Sequence, residues 1–258
     1  MEKELNMETI IYVIIFIIGC FFGSFFTLAV YRIPRKEDIF IKHSYCPNCN
    51  HRLGFFDLFP VLSYIFLKGK CRYCNNPIRI RYLLLEIFSG LVFLLLAISM
   101  KINITNLNGI YLFSYFIYIS ILFIIAGIDK ELHNIDYKVL CFGFSVEFIY
   151  IIYKCTLNFY NVYQYVIYIV FLIILLSLMI INLKRRGKVE YYVQILFLSL
   201  YIVFFIGSIN YILTVIFTLL LISFSNINKK QNLPIGYYIV ISNVCIMLIS
   251  NFICNFII

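Results

Sequence analysis

Eight apolar stretches, each near the length of a membrane crossing, recur along this chain and leave it one class of fold. They lie near residues 9–31, 83–100, 109–127, 139–153, 163–183, 193–208, 210–225 and 235–257. A helix needs ~20 mainly apolar residues to cross a hydrocarbon core, and backbone polar groups facing lipid must be paired within their own helix. The sequence therefore predicts an all-α polytopic membrane protein with about eight transmembrane helices. The fourth and sixth stretches are short, and Gly207–Asn210 gives the sixth and seventh a very tight turn. Composition excludes a soluble globular domain, since 63% of the 258 residues are hydrophobic and 13% charged, where soluble domains carry ~25% charged residues.

Charge placement sets the orientation. If the N-terminus faces outward, the cytoplasmic segments are 32–82, 128–138, 184–192 and 226–234, and these hold 18 of the 21 Lys and Arg residues. Only Lys3, Lys101 and Lys154 fall elsewhere, as the excess of basic residues in cytoplasmic loops requires. The net charge of +9 is thus read as topology and lipid headgroup attraction, not as a nucleic-acid surface. The apolar run Ile10–Phe22 follows Glu2, Glu4 and Glu8 against one Lys3. It lacks the basic flank and small-residue cleavage site of a secretion signal, so it is expected to be a retained first span.

The one extended soluble segment, 32–82, contains Cys46-Pro-Asn-Cys49 and Cys71-Arg-Tyr-Cys74. A two-residue gap lets a tight turn aim two thiolates at one ion, and two such turns complete a tetrahedral sulfur site. Two disulfides or unligated thiols are the competing readings, and a reducing cytosol opposes the first. Structural Zn2+ held by Cys46, Cys49, Cys71 and Cys74 is the expectation. It also explains how a segment of this size with little core can fold. Cys20, Cys141, Cys155, Cys245 and Cys254 stand singly in or near spans, as small apolar packing residues do.

With these residues in view, the chain resembles the type IV prepilin peptidases, also called leader peptidase and N-methyltransferase. The resemblance runs through Gly23-Ser24-Phe25, Tyr31-Arg32-Ile33-Pro34, Cys46-Pro-Asn-Cys49, Asp57-Leu-Phe-Pro60, Leu62-Ser63-Tyr64, Gly69-Lys-Cys-Arg-Tyr-Cys74 and Arg81-Tyr82 through Glu86. It resumes at Gly127-Ile128-Asp129 and Pro234-Ile-Gly236. It implies three parts: an N-terminal span over 1–31, a cytoplasmic four-cysteine zinc-binding domain over 32–82, and an aspartyl-peptidase-like helical bundle over 83–258. It further implies cleavage of leader peptides from pilin-like precursors at the cytoplasmic face of the plasma membrane, in pilus assembly and protein secretion. N-methylation of the new terminus with S-adenosylmethionine is implied by resemblance alone, since no Gly-rich nucleotide loop marks a donor site.

The family's first catalytic aspartate maps onto Asp129. Its second belongs to a Gly-x-Gly-Asp motif, and here that stretch reads Gly187-Lys-Val-Glu190-Tyr-Tyr192-Val-Gln194. The alignment puts Tyr192 in place of the aspartate, without the motif's glycines. Ile135-Asp136 likewise stands where an Ile-Pro pair is expected. Aspartyl proteolysis divides two roles between two carboxylates, one activating water and the other protonating the carbonyl, and a phenol titrating near 10 cannot be the base. The nearest acid is Glu190, whose side chain on a regular helix points roughly 200° from Tyr192. Asp129 and Glu190 are the candidate catalytic pair. The alternative is a diverged, proteolytically inactive member acting as a pilin-system binding or assembly factor, with Asp129 a solvated carboxylate at a helix end. Glu86 is expected to pair with a nearby Arg, and Glu147 is an acid within a span with no evident partner.

Overall fold

The computed structural model describes residues 2–39, 43–102, 109–157, 189–226 and 233–256, with a few positions between 163 and 170. The expected fifth span, 163–183, and the basic run 184–188 lie almost wholly outside the described residues. The chain forms two compact units, Met1–Gly109 with Asn251–Ile258, and Ile110–Ser250.

The first unit is built on two long helices, α1 (Glu2–Arg32) and α3 (Ile80–Ser99). They meet through small residues. A Cβ at Gly19 would lie 2.8 Å from the Gly90 Cα, and one at Gly23 would lie 2.8 Å from the Glu86 Cα. Gly19 and Gly23 are four residues apart on one face, and close backbone approach at such pairs is how helices pack in a solvent as apolar as their side chains. Ser89 seals the crossing by donating its hydroxyl to the Gly19 carbonyl at 2.7 Å. At the end of α1 the buried guanidinium of Arg32 donates to the carbonyls of Asp38 (3.0 Å) and His43 (3.1 Å), folding the following chain around itself. Between these helices lie a 3-10 turn (Phe55–Asp57) and the short α2 (Leu62–Phe66).

The second unit contains α4 (Gly109–Leu132), α5 (Tyr137–Leu157), α6 (Val189–Ile206), α7 (Ser208–Asn226) and α8 (Ile235–Phe256), the last running into the residues grouped with the first unit. Gly207 joins α6 to α7 with φ +83°, a left-handed conformation that glycine adopts without a Cβ penalty. Asp136, in place of the expected proline, caps α5: its carboxylate accepts the Lys138 N–H at 2.8 Å. The interior is aromatic, with Tyr118 stacked on Phe205 at 3.9 Å and Tyr150 on Phe205 at 5.3 Å. The Tyr118 hydroxyl donates to Asn243 Oδ1 at 2.9 Å, tying α4 to α8.

Six described helices are long and apolar enough to cross a membrane: Glu8–Arg32, Ile80–Ser99, Gly109–Leu132, Tyr137–Thr156, Ser208–Ser225 and Ile235–Cys254. Glu190–Ile206 is apolar but shorter. The described residues form no strand beyond two isolated bridges, Tyr45 with Arg52 and Lys70 with Pro77. The protein is thus a nearly all-helical, multi-pass membrane protein carrying a four-cysteine cluster between its first two long helices.

Candidate metal centre and buried aspartate

Each bridge closes a turn holding one cysteine pair, and the two turns are built alike. Cys46 N–H donates to the His51 carbonyl at 3.0 Å and Asn50 N–H to the Cys46 carbonyl at 2.8 Å. In the second turn Cys71 N–H donates to the Asn76 carbonyl and Asn75 N–H to the Cys71 carbonyl, both at 2.9 Å. Asn50 and Asn75, each following the second cysteine of its pair, both have φ +56°. Asparagine tolerates this left-handed conformation better than most residues, so Cys-x-x-Cys-Asn is a repeated turn signal that the cysteine spacing alone does not reveal.

The four Sγ atoms lie within 4.8 Å of one another, and Cys46 Sγ is 3.8 Å from Cys74 Sγ. Zinc–sulfur bonds of ~2.3 Å at tetrahedral angles put sulfurs about 3.8 Å apart, so Cys46, Cys49, Cys71 and Cys74 fit one metal ion. The Asn76 backbone N–H draws the Cys74 thiol down to about 7, towards the thiolate that a metal requires. Asp57 braces the second turn: its carboxylate pairs with Arg72 Nε at 2.7 Å and accepts from the Tyr73 hydroxyl at 3.3 Å and the Gly54 N–H at 3.0 Å. The His51 and Tyr73 rings, one from each turn, lie 3.6 Å apart between centroids.

Glu86 differs from the expected arginine pairing. Its Oε2 accepts the Val61 N–H at 2.8 Å, and Ser24 also hydrogen-bonds to its carboxylate. A carboxylate on α3 thus fixes the backbone that enters α2.

In the second unit Asp129, near the end of α4, has no exposed surface. Its Oδ1 accepts from the Tyr191 hydroxyl at 2.8 Å, and its Oδ2 accepts from the Tyr237 N–H at 2.9 Å. The Tyr191 oxygen in turn accepts the Ile235 N–H at 3.0 Å. A Cβ at Gly236 would lie 3.0 Å from Asp129 Oδ2, so a residue without a side chain lets the start of α8 reach this carboxylate. The group facing Asp129 is therefore Tyr191, one position before the Tyr192 of the motif alignment. Glu190 is exposed in the first turn of α6, and no described hydrogen bond or ion pair joins it to Asp129. Gln194, one turn further on, accepts the Ile135 N–H at 3.0 Å and holds the α4–α5 turn against α6.

Glu147 on α5 is 3% exposed, and neither carboxylate oxygen has a described hydrogen-bond partner. It lines a water-sized cavity with Ser114, Tyr118, Tyr150 and Tyr201.

Comparison with known proteins bears on the N-terminal part of this architecture. Residues 17–100, which cover the second half of α1, the cysteine turns and α3, match the bacterial peptidase A24 N-terminal domain. The chain is also similar to proteins named prepilin leader peptidase/N-methyltransferase. That of Klebsiella pneumoniae is 33% identical over 123 residues, 45% of this chain and 51% of the relative. That of Bacillus subtilis is 34% identical over 129 residues, half of each chain. That of Myxococcus xanthus is 38% identical over 81 residues, 31% of this chain and 24% of the relative. The matches therefore span about half or less of those relatives' length. No solved structure matches the chain.

Proposed function

We propose that this protein is a prepilin-peptidase-like membrane protein that engages type IV pilin-like precursors at the cytoplasmic face of the plasma membrane, and that it has diverged from two-carboxylate proteolysis. The observation that carries this reading is the Asp129–Tyr191 hydrogen bond. Where two carboxylates would share a proton and hold a water between them, Asp129 instead meets a phenol. Tyr191 also accepts from Ile235 while donating to Asp129, and Asp129 Oδ2 is taken by Tyr237. Both oxygens of Asp129 accept hydrogen bonds that tie α4 to α6 and α8, and no second carboxylate among the described contacts shares them.

The rest of the reading follows from the resemblance of the N-terminal region. The four cysteines hold one structural Zn2+, the cysteine domain faces the cytoplasm with the N-terminus outside, and the substrate is a pilin-like precursor. Methylation of a pilin terminus would require S-adenosylmethionine and a precursor already cut. A second reading, an active aspartyl peptidase with Glu190 as partner of Asp129, has one observation in its favour: Glu190 adjoins Tyr191 in an exposed first helical turn.

The deciding experiment reconstitutes the full chain with a pilin-like precursor and follows leader removal by mass spectrometry, using wild type, Asp129→Asn and Glu190→Gln. The proposal expects uncut precursor that nevertheless co-purifies with the protein. Cleavage by the wild type that each substitution abolishes on its own favours the second reading instead, whereas cleavage that survives Glu190→Gln removes Glu190 as the partner. Cleavage that survives Asp129→Asn discards the aspartyl mechanism.

A further inference from the structure

The segment between the two cysteine turns packs against the long helices α1 and α3. Phe59 packs edge-on against Phe21 of α1, with ring centroids 5.2 Å apart. Phe21 lies eleven residues before Arg32 at the end of α1, about 16 Å along the helix at 1.5 Å per residue. It also lies between Gly19 and Gly23, the two residues at which α1 crosses α3. The Val61 N–H reaches Glu86 on α3, six residues inside the span that begins at Ile80. Two independent contacts therefore hold residues 59–61 beside interior positions of both helices rather than beyond their ends.

The flanks of this loop are apolar and uncovered. Phe55, Phe56 and Phe66 are 70%, 76% and 79% exposed, and Ile65 and Leu62 are exposed with them. Phe55 lies 6.2 Å from Phe59 and 5.9 Å from Phe56, which continues the aromatic line outward from Phe21. On α1 and α3, Ile17, Phe21, Leu84 and Phe88 are likewise exposed, on helices long and apolar enough to cross a membrane. Exposed apolar surface of this kind is rare on a water-facing domain, and here it continues the lipid-facing surface of the spans. Lys68, Lys70 and Arg79, which follow it in sequence, are exposed cations, suited to anionic headgroups.

We propose that residues 54–66 form a membrane-embedded loop whose aromatic ridge, Phe55, Phe56 and Phe66, is buried among lipid acyl chains, with the basic residues after it at the headgroups. The partner is the bilayer itself. The two metal-binding turns then sit at the membrane surface, facing water. This is separate from the pilin-binding proposal and stands if that one falls.

The sequence contains no tryptophan, so single reporters can be read without background. Phe55→Trp, Phe56→Trp and Phe66→Trp are placed one at a time in the full chain, in vesicles of phosphatidylcholine and phosphatidylglycerol. Asn76→Trp, on the exposed second metal turn, is the aqueous control, and retained metal content checks folding of each variant. The ridge reporters should show blue-shifted emission, lose most of it to lipids brominated along the acyl chain, and resist iodide. The control should behave in the opposite way. Ridge reporters that emit like the control and are quenched by iodide alone would overturn the proposal. So would reporters that turn blue only when a pilin-like precursor is added, because the ridge would then be a protein-docking surface.

Discussion

Replacing Tyr191 by phenylalanine removes one oxygen and two hydrogen bonds. Asp129 Oδ1 loses its 2.8 Å donor and the Ile235 N–H loses its 3.0 Å acceptor. A hydrogen bond to a carboxylate contributes about 1.5–3 kcal/mol, and an orphaned buried N–H costs about 1–3 kcal/mol. Tyr191 is only half-buried, so water can reach part of what is vacated and the sum is discounted to about 2–3 kcal/mol, a 30- to 150-fold change in the folding equilibrium. The assay is dodecyl-sulfate titration of the detergent-solubilised protein, followed by circular dichroism. Tyr192→Phe should cost less than about 0.5 kcal/mol, as substitutions away from buried features do. In a double-mutant cycle with Asp129→Asn, Tyr191 should couple by at least about 1 kcal/mol and Tyr192 should not. If Tyr192→Phe proves the costlier substitution, or Tyr191 shows no coupling, the register of α6 is wrong and so is the reading of the site.

Purified protein should hold about one zinc ion per chain by elemental analysis, and Cys74→Ser should abolish it; metal-free protein with four freely alkylated thiols at residues 46–74 would refute the site. Because protons compete with the metal for thiolate, acidification should release the bound metal and a return to neutral pH should restore it. Gly23→Leu should separate α1 from α3, since even a Cβ there lies 2.8 Å from the Glu86 Cα, and overpacking costs about 1–3 kcal/mol; unchanged thermal stability would contradict that crossing. Glu147→Leu removes two unpartnered carboxylate oxygens from the aromatic interior and should raise the apparent Tm, and a lowered Tm would mean that the acid has a partner to hold.

The spans and the cysteine cluster are legible in the sequence because their determinants are local. Twenty apolar residues or two cysteines three apart state their geometry within a few turns of chain. The partner of Asp129 cannot be read this way. It depends on the rotation of α6, where one residue is a 100° turn, and the motif that would anchor the register is lost at Val189 and Tyr191. Charge alone pairs Glu86 with an arginine, whereas its partners are the backbone N–H of Val61 and the hydroxyl-bearing Ser24, which no charge pattern signals. The stretch from Gly54 to Phe66 reads as part of a soluble segment because thirteen residues are too few to span a bilayer. The contact between Phe59 and Phe21 that places it depends on tertiary folding.

Asp57 touches both ends of the first unit's loop. Its carboxylate holds Arg72 and Tyr73 in the second metal turn and the Gly54 N–H at the start of the aromatic ridge. A single side chain therefore links the second cysteine turn to the start of the aromatic ridge, as two arms of a lever share one pivot. If the four cysteines hold a metal, stripping it with a chelator would free the turn that carries Arg72 and, through Asp57, the Gly54 backbone at the start of the ridge. A reagent that never enters the bilayer would thus change how firmly the chain grips it.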